Sequence, residues 1–366
     1  MGSAQKALGT VKKFNHYGHL AKNAILKPLT VKQLPAHIQI EITTYCNQDC
    51  LSCGRRDIIH DPKHMSFEQF KHIYDQIQPE NINLSGLGEP LTNPEVFDMI
   101  KYSREHGSIV NFPTNLTLNE RVITDLIDSQ IDQIKVSIDA IDKDTYIIVR
   151  QSDWFDIVTR NIRTINRIKE ERGINYPEIR LNYSFQKANM DDLVGLMDFA
   201  REHKVGTIYV QDLNYFSVED EKDKLCGFTK EHLIEVLDAA DAKAREYGID
   251  TNIGNWRRNM DAFYNKTLPT EEYAENHTKC TFPWVSCFID VNGNVLPCPV
   301  FVWEKQSESL GNALETPFEE IWNGETYKQL RGEFKDNIRR NPICKKCVPP
   351  NIFDMKLIFQ KMLLRA

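Results

Sequence analysis

The 366-residue chain contains no run of about eighteen apolar residues, which excludes a membrane-spanning helix on length alone. Its first twenty residues, MGSAQKALGTVKKFNHYGHL, lack the apolar centre of a secretory signal. Positive charge is also in short supply: 45 Lys and Arg face 52 Asp and Glu, a net charge of -7. That balance argues against a phosphate-binding surface, so neither nucleic acid nor membrane is an expected partner. Low-complexity tracts and internal repeats are missing too, beyond an alternation of strands and helices. What remains reads as a cytoplasmic globular chain, long enough for one large α/β domain and a smaller one.

The nine cysteines are the feature that stands out. In a reducing compartment they are ligands or buried thiols rather than disulfides. They fall into two groups, with Cys46, Cys50 and Cys53 near one end and Cys280, Cys287, Cys298, Cys344 and Cys347 near the other. Cys226 stands alone between charged residues. The stretch CNQDCLSC offers three thiolates within eight residues and then stops. A structural zinc site would need a distant fourth ligand. A four-iron cluster held by three thiolates would instead keep one iron open, and the ferredoxin pattern of a fourth cysteine before proline is absent.

Between residues 38 and 212 short apolar runs alternate with amphipathic stretches. Candidate strands are 38–43, 82–85, 108–112, 133–138, 178–184 and 207–211. Ser66 with Gln69 forms a capping box for the first long helix. Asn93-Pro94 opens the next and Gly107 closes it. Asp191 and Asp192 suit the first turn of a later one. Six strands separated by helices imply a parallel sheet with right-handed crossovers, either doubly wound or an open partial barrel. Chemistry in such sheets gathers at the carboxyl ends of the strands. The three cysteines, SGLGEP (85–90), PTN (113–115) and SIDA (137–140) all fall there. Further on, 288–298 reads as a hairpin around Asn292-Gly293, followed by a helix with Thr316 as cap and Pro317 in its first turn.

CNQDCLSC is the CxxxCxxC signature of the radical S-adenosylmethionine (SAM) enzymes, placed where that family carries it. SGLGEP resembles the family's glycine–glutamate motif, with Leu87 where many members have glycine. PTNL resembles its Thr-Asn-Gly turn, with Leu116 in place of glycine, and SIDA resembles its ending of strand four. The resemblance implies a partial (β/α)6 barrel over 38–212, preceded by an extension over 1–37. It implies that Cys46, Cys50 and Cys53 hold a [4Fe-4S] cluster whose open iron chelates SAM. It implies that reductive cleavage gives a 5′-deoxyadenosyl radical, with electrons from a partner such as flavodoxin or ferredoxin. Gly86, Gly88 and Glu89 are then expected at the methionine end of SAM, glycine allowing close backbone approach. Thr114 and Ser137 are expected to offer hydroxyls, and Arg150 to pair with the SAM carboxylate; an exposed helical arginine is the plain alternative.

The hairpin, a helix in PFEEIWNGETYKQLR and Cys344-Lys-Lys-Cys347 resemble the SPASM region or its shortened form, twitch. Because no cysteine follows the CxxC, the resemblance implies one auxiliary [4Fe-4S] cluster on Cys280, Cys298, Cys344 and Cys347, within a domain over 280–350. A zinc ribbon is the alternative that the residues themselves allow. Residues 213–279 form a linker and helical region, and 351–366 a C-terminal amphipathic helix. Cys287 reads as a core strand residue. The C-terminal cysteine spacing is similar to that of twitch-bearing aminocyclitol dehydrogenases. That favours oxidation of a small sugar- or cyclitol-like substrate, with radical modification of a ribosomally made peptide as the alternative. No catalytic acid or base is singled out; Tyr183, Gln186, Gln211, Asp212 and Asn214 lie at suitable strand ends. Arg55 sits next to the cluster stretch, while His60 and His64 read as surface residues.

Overall fold

The computed structural model describes residues 22–211, 229–258, 260, 280–303, 309–336, 338, 340, 341 and 344. Cys226, Asp212, Asn214, Cys347 and the expected C-terminal helix lie outside the described residues. Six parallel strands form the centre of one sheet: β1 (His37–Ile40), β2 (Asn81–Leu84), β3 (Ile109–Thr114), β4 (Gln133–Ser137), β5 (Glu178–Ser184) and β6 (Thr207–Gln211). All six expected strands are present. The first is shorter than read, because at Glu41 the chain leaves the strand for a loop.

Three short strands complete the sheet: β7 (Asp250–Thr251), β8 (Ser286–Ile289) and β9 (Val295–Leu296). The order is β7-β6-β5-β4-β3-β2-β1-β8-β9. The barrel is therefore open, since β1 and β6 do not pair. From β1 to β6 each strand steps one place in the same direction. Right-handed crossovers then put every connecting helix on the same side.

That side is the apolar core. Ile38, Ile40, Ile82, Leu84, Val110, Phe112, Ile134, Val136 and Leu181 are buried there. They share one cluster with Phe70, Met99, Ile123, Ile162 and Leu196 from the helices. Full burial of such a side chain contributes roughly 1.5–3 kcal/mol. The opposite, lumen-facing side has a different character. Alternation puts His37, Gln39, Asn81, Asn83, Asn111, Lys135, Arg180, Asn182 and Tyr209 on it. Closed barrels fill that space with branched apolar side chains; here amides bond to one another across the strands. Asn111 donates to Asn81 at 3.1 Å, and Asn83 to Gln39 at 3.3 Å.

The helix Phe67–Ile77 carries the expected capping box, with Ser66 and Gln69 reciprocally bonded. Asp191 and Asp192 instead lie in a 3-10 turn, Met190–Asp192, just before the helix Leu193–Glu202. The stretch PFEEIWNGETYKQLR is two helices, Phe318–Trp322 and Glu325–Lys335, broken at Gly324. Gly324 is the N-cap of the second, and a Cβ there would stand 3.0 Å from the Glu320 carbonyl. Pro317, not Thr316, occupies the first helix's capping position, without a side-chain bond.

The hairpin is present, with Gly293 at φ +85° and Asp290 accepting from the Asn292 and Asn294 amides. Its first strand was not foreseen as part of the barrel sheet. β8 pairs in parallel with β1, setting Cys287 beside Ile38 in the apolar core. The C-terminal helices also grip the chain ahead of β1. Buried Arg331 donates to the Pro283 and Leu29 carbonyls, and Trp322 to that of Gln33.

Buried Asn161, on the helix Phe155–Arg172, donates to the carbonyls of Leu116 and Leu118, both at 2.9 Å. Asn161→Ala orphans both carbonyls, so we expect a loss of about 1–3 kcal/mol in urea unfolding. An unchanged midpoint would contradict it.

Candidate active site

The loop after β1 carries Cys46, Cys50 and Cys53 as partly buried free thiols. Neighbouring strand ends pin this loop from three sides. From the β2 side, the Glu89 amide donates to the Tyr45 carbonyl at 2.7 Å. From the β3 side, Asn115 donates to Asn47 at 2.7 Å, and Asn47 to Thr117 at 2.7 Å. From the helix Lys143–Arg150 after β4, the Val149 carbonyl accepts from the Leu51 amide at 3.1 Å. Tyr146 of that helix accepts from Gln48 at 3.1 Å.

Burial favours the neutral thiol, pushing Cys46 up to about 11 and Cys53 upward as well. A metal bound by these sulfurs would have to displace protons. Arg55, its side chain mostly buried and paired with Asp49 at 2.8 Å, pulls both thiols back down. Among the described residues no three His, Cys, Asp or Glu side chains form a group for a single metal ion.

Arg150 is not an exposed helical arginine. It is 8% exposed, pairs with Asp139 at 2.5 Å and donates to the Cys50 sulfur at 3.6 Å. Asp139 is held in turn by the Ser184 amide at 2.6 Å, and sits at φ +51°. The Nε of Arg150 has no hydrogen-bond partner among the described residues. This arginine thus ties the ends of β4 and β5 to Cys50.

Gly86 and Gly88 permit close approach, but to the chain itself. A Cβ on Gly86 would fall 2.3 Å from the Glu41 side chain. One on Gly88 would fall 2.4 Å from the Thr43 carbonyl oxygen. Their absent side chains let the β2 loop pack against the cysteine loop. Glu89 is buried and accepts from Thr114 at 2.7 Å and from the Asn115 amide at 2.7 Å. The Thr114 hydroxyl accepts from the Leu116 amide as well. In this structure Thr114 therefore locks a turn rather than presenting an open hydroxyl. Leu116, where glycine was the expectation, sits at φ +55° and fully buried. Ser137 ends β4 on the lumen side, half-buried, beside Asn182 of β5.

Glu41 escaped the sequence reading; its only signal was a carboxylate closing an apolar run. It is 2% exposed and accepts from the Leu87 amide at 2.7 Å and the Val291 amide at 3.3 Å. It thereby joins the β2 loop to the hairpin. Burial pushes it up to about 7, against the pull of those two amides. With Leu87, His60, Lys63, Asp290 and Asn292 it lines a cleft of about 600 Å³ between cysteine loop and hairpin. His60 and His64 are exposed, as read, and His64 stacks on Tyr45. Tyr183 is instead a core residue, its hydroxyl donating to the Asn189 carbonyl.

Of the second cysteine set, Cys298 and Cys344 pack on the same small cluster of Phe288, Leu296 and Phe301. Cys280 and Cys344 also border the main core. Tyr327, fully buried and electrostatically coupled to Cys298, has a hydroxyl with no partner among the described residues. A sulfur-rich cluster would suit that unused donor. Soft thiolates in both sets fit iron–sulfur groups by ligand type.

Residues 40–200 match the family profile of the radical SAM superfamily, and residues 280–348 match the SPASM iron–sulfur cluster-binding domain. The chain belongs to the radical SAM superfamily. Its two matched domains imply iron–sulfur clusters and SAM binding. Among curated relatives, the AdoMet-dependent heme synthase of Methanosarcina barkeri is 26% identical, over 83% of this chain and 86% of that protein. The mycofactocin maturase MftC of Mycolicibacterium smegmatis is 22% identical, over 81% of this chain and 72% of that one. Among solved structures, Streptococcus suis SuiB bound to precursor peptide SuiA superposes with TM-score 0.65 at 17% identity. It covers 97% of this chain and 79% of its own, which shows a shared fold. No helix among the described residues of this radical SAM protein is long and apolar enough to cross a membrane.

Two outcomes follow from this geometry. Arg150→Met leaves the Asp139 carboxylate buried and unpaired, so we expect a loss of about 3–5 kcal/mol. Adding Asp139→Asn should restore part of it, and a strictly additive double variant would contradict the pairing. The second concerns pH. Glu41 has a folded pKa raised from 4.5 to about 7, so its stabilising share is present at low pH and lost as pH rises through about 7. Relative to the native chain, Glu41→Gln should therefore gain stability between pH 5 and 7, on the order of 3 kcal/mol. A pH-independent difference would rule this out.

Proposed function

We propose that this chain is a radical SAM oxidoreductase that oxidises a small polar substrate. The observation carrying the proposal is the loop of three thiols held by the ends of β2, β3 and β4, with Arg150 against Cys50. Bound there, a [4Fe-4S] cluster and SAM would supply the radical chemistry that removes a substrate hydrogen atom. The chain's residues position and shield that chemistry. Cys46, Cys50 and Cys53 ligate the cluster. Arg150 fixes Cys50 and, through its unused Nε, has a donor for an anionic group such as the SAM carboxylate. Gly86, Gly88 and Glu89 shape the loop beside the methionine end, with Thr114 bracing Glu89, while Ser137 offers a hydroxyl from the end of β4.

Cys280, Cys298, Cys344 and Cys347 would hold one auxiliary [4Fe-4S] cluster, which would supply the electron acceptor that makes the net reaction an oxidation. A low-potential donor such as flavodoxin or ferredoxin would supply the electrons for the first cluster. A small polar substrate is supported by the amide-lined face of the sheet. A relative named for heme synthesis, a small-molecule product, supports the same class.

The test is anaerobic reconstitution of the full chain with iron and sulfide, followed by iron, sulfide and zinc analysis. The expected content is about eight irons, falling to about four in Cys46→Ala/Cys50→Ala/Cys53→Ala. About four irons with one zinc in the native chain would remove the electron acceptor, and with it the oxidation.

A further inference from the structure

Each of the three sulfurs in the cysteine loop faces an N–H donor, but the donors differ. Cys46 accepts from the Gln48 amide and Cys53 from the Arg55 amide, both neutral backbone groups. Cys50 accepts instead from the Arg150 guanidinium, Nη1 to Sγ at 3.6 Å. A charged donor makes the stronger bond, and this one is enclosed, with the Arg150 side chain 10% exposed. The Arg55 side chain also faces Cys46 and Cys53, but its partner Asp49 is 61% exposed, so water screens that pair. Glu89 faces Cys46 as well. Cys50 is thus set apart from the other two sulfurs by a buried cation.

The ion pair that holds this cation is built with a definite order. Cys50 and Asp139 take different nitrogens of the same guanidinium, Nη1 and Nη2. The Asp139 carboxylate touches that guanidinium at 2.5 Å and the Ser184 amide at 2.6 Å. The cation therefore meets the sulfur directly, and the anion meets it through the cation. Asp139 reaches this place at φ +51°, which carries a backbone cost. A buried ion pair is weak evidence for stability, since well-packed apolar residues often serve as well. Stability alone does not explain a buried cation set against one sulfur of three.

We propose that the Asp139–Arg150 pair sets the reduction potential of the cluster that Cys46, Cys50 and Cys53 would hold. This deepens the reading above, on which it rests. One-electron reduction would add negative charge beside Cys50, with no bond made or broken at Arg150. The guanidinium favours that added charge, and the Asp139 carboxylate opposes it. Hydrogen bonds to the sulfurs and net charge are among the features that set such potentials. Arg150 is thus a positioning residue that acts through Cys50, and Asp139 moderates it.

The experiment is a redox titration of the reconstituted full chain, followed by electron paramagnetic resonance and run without SAM. The relevant signal is the one lost in Cys46→Ala/Cys50→Ala/Cys53→Ala. Arg150→Met is expected to make reduction at least about tenfold less favourable, a potential about 59 mV lower for one electron. Asp139→Asn is expected to raise the potential, because the guanidinium is then unopposed. Opposite signs separate tuning from a loosened loop, which would move both variants the same way. Arg150→Lys keeps the charge and should fall less than Arg150→Met. If Arg150→Met holds no cluster, the Arg150→Met/Asp139→Asn variant takes its place and should lie below Asp139→Asn. Unchanged potentials, or shifts of one sign, would overturn the proposal. A native or lowered potential in Asp139→Asn overturns it without the other variants. A native chain with no signal that depends on the three cysteines defeats the radical reading. Such a signal without opposed shifts defeats only this inference.

Discussion

The constraint on which the structure depends is the hand of the strand–helix–strand crossover. Because each of the first six strands steps in one direction, every connecting helix falls on the same face. One face becomes the core, and the other is released from the need to be apolar. That release allows a parallel sheet to carry His37, Asn81, Asn83, Asn111, Lys135 and Arg180 on its other side. The usual continuous hydrophobic strand of a doubly covered sheet is replaced by alternation. Here the alternation sets amides and cations on the lumen side, opposite the apolar core.

The same topology explains the loops. All six strands end at the same edge, so their loops meet. The cysteine loop has no regular structure of its own beyond the short helix Arg55–Ile58; its shape is set by partners on β2, β3 and the helix after β4. Two non-glycine residues at positive φ, Leu116 and Asp139, lie at the ends of β3 and β4. Such backbone costs of order 1–3 kcal/mol each and persists only when over-determined. Here the Asn161 clamp holds one, and Arg150 with the Ser184 amide holds the other.

The hairpin solves a separate problem. Without β8, β1 would be an edge strand with unpaired backbone groups, directly below the cysteine loop. Pairing β8 with β1 closes that edge and brings the SPASM region beside the radical SAM barrel. Glu41 then connects the two, one oxygen to the β2 loop and the other to the hairpin. Its raised pKa reflects a carboxylate used as a buried structural acceptor at a junction. The two cysteine sets are thereby carried on one continuous sheet.

The amino-acid sequence by itself determined the six strands, the capping box at Ser66, the hairpin turn at Gly293 and the two groups of cysteines. Each of these is a local matter of alternation, capping or spacing, so it can be read from neighbours in the chain. The radical SAM and SPASM resemblance was legible for the same reason, since its motifs are short and ordered along the strands. Tertiary structure alone decided what those residues touch. Arg150 reads from the sequence as a partner for the SAM carboxylate or else an exposed helical cation, and only the fold brings Asp139 and Cys50 to it. Gly86 and Gly88 read as room for a cofactor until Glu41 and the Thr43 carbonyl are seen in that space. The pairing of Lys135 with Arg180 depends on register between strands some forty residues apart, and β8 beside β1 on a contact across about 250. Long-range register is set by the packing of the whole sheet, and no local pattern encodes it.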